Sequence, residues 1–172
     1  ATDTTTDGID GIDEIVDDLH EHYPDLDPIG LPIAGRILRL ARYLEDRREA
    51  QLESFGLTPA DFDVLATLRR KAATSAINVR ELQQALMLSS GGMTKRLDRL
   101  ESGGLLERDR DPNDRRGVLI ALTDAGRDLI DQALPAVTNA ESALVTGAIG
   151  GAKVREQVAG GLRQLLLAQE AT

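Results

Sequence analysis

A segment opening at Ser89 or Ser90 and stopping at the glycine pair Gly103 and Gly104 runs directly into two short segments, residues 105–108 and 118–122. Between those stretches lie residues 109–117, rich in turn formers. The opening serines are helix-capping hydroxyls and the glycines supply a helix stop, so the first part reads as a helix. At about 100° per residue, Met93, Leu97 and Leu100 fall on one face, with Gly91, Lys95 and Arg99 opposite. The two short segments, separated by the turn-rich residues, read as a β-hairpin with a long tip. Few folds accept a capped amphipathic helix followed at once by such a hairpin.

The flanking sequence narrows the choice. Thr58, Pro59 and Asp61 form a helix start: a hydroxyl cap, a proline at the first helical position and an acid near the positive end. That helix is predicted to run to about Lys71. Asn78 with Glu81 three residues on opens a short helix over Val79–Leu86. Upstream, Ile9, Ile12, Ile15, Val16 and Leu19 make a helical face, and residues 25–32, with Pro28 and Pro32, read as a linker. Ile33, Ile37, Leu40 and Leu44 form a further stripe in a helix ending near Gly56. Downstream, Thr123 and Asp124 start a long helix with a kink expected at Pro135. A last helix, at about 153–169, turns Val154, Val158, Leu162, Leu165 and Leu166 inward.

Helix, short helix, capped helix and hairpin within residues 58–122 is the order of a winged helix-turn-helix. The expected fold is mainly α with a small β-wing. In such a layout one helix offers side chains to base edges in the major groove while flanking elements grip phosphates. Ser89, Ser90 and Thr94 supply hydroxyls near the helix start, and Lys95 and Arg99 supply cations. Arg110, Arg115 and Arg116 at the hairpin tip suit a narrow minor groove.

A formal net charge of −9 argues against contact with phosphate only until its distribution is considered. Residues 1–27 hold ten acidic side chains and no Lys or Arg, leaving twenty basic against nineteen acidic residues in the rest. The chain has no cysteine, which excludes thiol redox sensing and thiolate metal sites. With no glycine-rich phosphate loop and no histidine dyad either, an enzyme is not expected, nor a cofactor or metal. No apolar run is long enough to span a bilayer, so a cytoplasmic protein without membrane contact is expected.

The run SSGGMTKRLDRLESGGLLERDRDPNDRRGVLIALTDAG, residues 89–126, resembles the recognition helix, wing and wing-to-helix junction of the MarR family of transcriptional regulators. The similarity extends through LTPADFDVLATLRR and LRLARYLEDR to PDLD, and looks closest to a branch with an extra N-terminal helix that includes urate-responsive regulators. The resemblance implies a bacterial homodimer whose terminal helices interleave. Residues 1–8 would be a disordered N-terminus, 9–27 an acidic helix and linker, and 28–57 a dimerisation helix. Residues 58–122 would be the DNA-binding region and 123–172 the C-terminal dimerisation helices, all in one folding unit.

The resemblance further implies a DNA face of Ser90, Gly91, Thr94, Lys95 and Arg99, with Ser89 at the cap. Arg116 would enter the minor groove beside Arg115, oriented by Asp114. Asp63, Arg96 and Arg108 match the positions that hold a small anionic ligand in that branch. The branch's tryptophan has no counterpart, Leu19 and His20 standing at its place. Geometry puts Arg96 on the flank of its helix, about 65° from the apolar centre, where it either faces a cavity or pairs with Asp98 or Glu101. The expected function is a ligand-responsive repressor on a palindromic operator. A winged-helix adaptor that binds protein through the same face is the alternative.

Overall fold

The computed structural model describes residues 8–71, 76–86, 90–112, 114 and 117–171, with nothing described of the side chains at 90 and 91. Two compact units divide the chain between Glu49 and Ala50.

The first unit is built on α1 (Gly11–His22) and most of α2 (Leu31–Glu53). Asp10 caps α1 by accepting from the backbone N–H groups of Ile12 and Asp13, and the Asp13 carboxylate accepts from the Asp10 N–H in return. This reciprocal cap satisfies donors that a helix start otherwise leaves open. It also corrects the expected start: Ile9 lies before the cap and is 77% exposed, whereas Ile12 is buried. Arg36 of α2 donates from Nε to Asp10 at 2.8 Å and from Nη2 to Asp13 at 2.6 Å, fastening the two helices at the capped end. The linker ends earlier than expected, at Gly30, because Pro32 is already the second residue of α2, where its missing N–H costs nothing.

The second unit holds α3 (Pro59–Lys71), β1 (Ile77–Asn78), α4 (Val79–Leu86), α5 (Ser90–Ser102), β2 (Leu106–Arg110), β3 (Val118–Leu122), α6 (Asp124–Ala148) and α7 (Ala152–Glu170). The sheet order is β1-β3-β2, antiparallel throughout, with Ile77 opposite Ile120 and Arg108 also opposite Ile120 on the other side. Strand β1 is not in the sequence-based reading. The hairpin strand begins and ends later than the expected 105–108, because pairing with Val118 carries it on to Arg110.

Val64, Leu65 and Leu68 of α3, Leu82 of α4, Met93, Leu97 and Leu100 of α5, Leu106 and Ile120 of the hairpin, and Ile130, Ala133 and Val137 of α6 form one core. Arg69 clamps α3 to α6 through two bonds to Asp131, 2.7 and 3.0 Å long. Pro135 lies inside α6 without ending it.

Where helix meets hairpin the chain is tightly constrained. Gly104 adopts φ +69°, a conformation that disfavours any Cβ, and closes α5. The Thr123 hydroxyl donates to Gly104 O at 2.7 Å and accepts from Gly126 N–H at 3.0 Å, capping α6. Gly126 packs so closely on Leu105 that an added Cβ would stand 1.9 Å from the Leu105 carbonyl oxygen.

The expected inward stripe of the last helix is corrected for the single chain. No residue of α7 is buried, and Val154, Val158, Leu162, Leu165 and Leu166 are 43–58% exposed. Ile33, Ile37, Leu40 and Leu44 of α2 are likewise exposed. Their spacing is that of a core face, yet they are not covered among the described residues.

Candidate nucleic-acid interface

Helix α5 is sorted by its own sequence. Met93, Leu97 and Leu100 are sealed in the core, which leaves Gly92, Thr94, Lys95, Asp98 and Arg99 exposed on the other side and Arg96 part-buried on the flank. Amphipathic burial of a 13-residue helix thus presents a polar face with two cations. Helix α4, before it, is opened by a reciprocal cap: Glu81 N–H donates to Asn78 Oδ1 at 2.8 Å and Asn78 N–H to Glu81 Oε2 at 3.2 Å. Between the start of α4 and the base of the wing lies an open cleft of about 360 Å³, lined by Asn78, Arg80, Gln83, Asp111 and Asp114 among others.

The arginines around α5 are not equivalent. Arg99 reaches across to the start of α3, where Nη2 donates to the Asp61 carboxylate and, at 3.3 Å, to Thr58 Oγ. Arg108 of β2 pairs with two carboxylates of α5, Asp98 at 2.6 Å and Glu101. The acids expected as partners for Arg96 therefore belong to Arg108. Hydrogen bonding to Arg108 holds the Glu101 carboxyl below its ordinary pKa, and the same pairing, first with Glu101 and then Asp98, raises that of Arg108. Wing strand and candidate recognition helix are tied at this point.

Arg96 keeps a buried Nη1 with no hydrogen-bond partner among the described residues. Asp63, on α3, is part-buried. Asp114 is exposed at the wing, where its carbonyl accepts from Gly117 N–H at 2.8 Å. Ser89, Arg115 and Arg116 lie outside the described residues, as do the side chains at positions 90 and 91. Sequence reasoning missed the long-range role of Asp61, reading it only as an acid in the first turn of α3. Its burial, at 4% exposure, has no local signal.

A three-helix segment whose last helix packs on an antiparallel hairpin and turns a polar, cation-bearing side outward is a winged helix-turn-helix. Residues 55–117 match the sequence profile of the MarR family. The chain is 36% identical over 121 residues to the HTH-type transcriptional regulator PecS of Dickeya dadantii, an overlap covering 70% of this chain and 73% of that protein. A solved structure of a MarR mutant from Escherichia coli, complexed with operator DNA, superposes with a TM-score of 0.69 at 29% identity, over 82% of this chain and 99% of that one. The transcriptional repressor CouR bound to a 23-mer DNA duplex gives 0.70 at 26% identity, over 82% and 98%. The chain belongs to the MarR family.

Proposed function

We propose that this chain is a ligand-responsive repressor that binds a palindromic operator as a homodimer. The observation that carries the reading is the outward face of α5, where Thr94 and Lys95 are exposed on a helix whose opposite face is locked into the core. In this reading α5 enters the major groove, with Ser89, Ser90, Gly91, Thr94, Lys95 and Arg99 toward the DNA. The wing, through Asp114, Arg115 and Arg116, enters the minor groove. The operator-bound MarR structure and the DNA-bound repressor CouR support it.

The exposed stripes of α2 and α7 support the dimer, since apolar side chains at the spacing of a core face call for a partner surface to cover them. Two-fold symmetry then sets two copies of α5 at the spacing of successive major grooves, about 34–36 Å. For the effector, Asp63, Arg96 and Arg108 form the proposed site of a small anion. The orphaned Arg96 Nη1 supports this, because a buried unpaired donor is costly until something accepts from it. An anion drawing on Arg108 also competes with Asp98 and Glu101, and so loosens α5 from the wing. The helix α1 supports placement in the branch with an extra N-terminal helix.

Fluorescence anisotropy with a duplex from the region upstream of the chain's own coding sequence tests the reading. Tight binding that falls steeply with salt and exceeds that to a scrambled duplex by about 10³ or more is expected. Binding without salt sensitivity or sequence preference rejects it in favour of the adaptor. For the effector, a thermal-shift screen of small organic anions supplies a ligand, and calorimetry with Arg96→Ala checks the site. Unchanged affinity removes Arg96 from it.

A further inference from the structure

We infer that Asp61 is a positioning residue for DNA binding: its buried carboxylate holds the Arg99 guanidinium and thereby fixes how α5 presents its outward cations. The inference rests on the DNA-binding reading above and adds to it a residue on another helix.

Asp61 does two jobs with two oxygens. Oδ2 serves its own helix, accepting from the Thr58 hydroxyl at 2.7 Å and the Thr58 N–H at 3.4 Å, while Asp61 N–H donates to Thr58 Oγ at 3.2 Å. Capping needs nothing more, and caps of this kind work with the carboxylate in water. Here the side chain is only 5% exposed, and Oδ1 is given to Arg99. A carboxylate removed from water requires compensation, which the guanidinium supplies.

Arg99, by contrast, is 57% exposed. Only Nη2 is engaged, by Asp61 and Thr58. The N–H groups of Nε and Nη1 have no partner among the described residues and are available to a phosphate oxygen. A side chain already anchored at one nitrogen loses less freedom when it binds, so the pairing preorganises Arg99 rather than consuming it.

The charge of Asp61 makes the test decisive. A bystander carboxylate near DNA repels phosphate, so Asp61→Asn should then tighten binding. A positioning carboxylate gives the opposite sign. The probe is a duplex recovered by in vitro selection on the wild-type chain, titrated by anisotropy from about 50 to 200 mM salt. We expect Asp61→Asn to weaken binding about tenfold despite the lost negative charge, and Arg99→Lys to weaken it similarly while keeping the charge. The double variant should be no worse than either, as for two groups acting as one. Thermal midpoints accompany each variant, and if Asp61→Asn does not fold, Arg99→Lys carries the test.

Equal or tighter binding by Asp61→Asn, wild-type binding by Arg99→Lys, or losses that multiply in the double variant overturn the inference alone. Failure of the wild type to select any duplex overturns the DNA-binding reading and the inference with it.

Discussion

Gly126→Ala is the perturbation that most directly tests the junction between wing and long helix. The new methyl carbon would stand 1.9 Å from Leu105 O and 2.8 Å from Leu105 C, both backbone atoms, so no side-chain rotation relieves it. To restore even a 3.0 Å contact, the strand start must retreat by about 1.1 Å. The Thr123 N–H to Leu105 O bond, already 3.2 Å, is then stretched toward breaking. Overpacking of this kind costs about 1–3 kcal/mol, and loss of one backbone hydrogen bond about 0.5–1.5 kcal/mol. Alanine's better helix propensity offsets up to about 1 kcal/mol. The net is a destabilisation of about 2 kcal/mol. In urea, with a slope of about 2 kcal/mol per molar, the unfolding midpoint should fall by about 1 M. Circular dichroism at one fixed protomer concentration measures it, since association would otherwise shift the midpoint. The control is Gly92→Ala, where an added Cβ meets nothing within 4 Å and about 0.5 kcal/mol should be gained. A Gly126→Ala midpoint equal to or above wild type refutes the reasoning.

Leu65 of α3 is fully buried, so Leu65→Ala should cost about 2–5 kcal/mol by equilibrium unfolding. The Glu101 carboxyl is held below its ordinary pKa by Arg108, so its contribution is intact above the unfolded-state value and is lost as pH falls through the lower folded value. Thermal midpoints should therefore drop on the acid side of the ordinary carboxylate range, with a shallower drop in Glu101→Gln; identical acid-side slopes would count against the pair. On α7, Leu162 is 46% exposed in the single chain, and Leu162→Glu should convert a dimer to a monomer by light scattering after gel filtration. A variant that remains dimeric would remove this stripe from the interface.

Much of the candidate site was legible because its determinants are local. The caps at Thr58, Asn78 and Thr123 each bond to a group three residues away, and the apolar spacing of Met93, Leu97 and Leu100 follows from helix geometry alone. Sequence could not supply strand β1, a two-residue pairing that exists only because β3 returns alongside it. It misplaced the helical start at Ile9 because periodicity extends past a cap that Asp10 and Arg36 settle together.

The helices, their polar and apolar faces, and the hairpin between them were determined by the order of residues, since each depends on neighbours within a turn or two. Which carboxylate each arginine takes was decided only by the folded chain. A guanidinium on a long flexible stem reaches whatever acid the packing brings near, and Asp61 comes to Arg99 from a different helix. Sequence spacing carries no trace of that proximity.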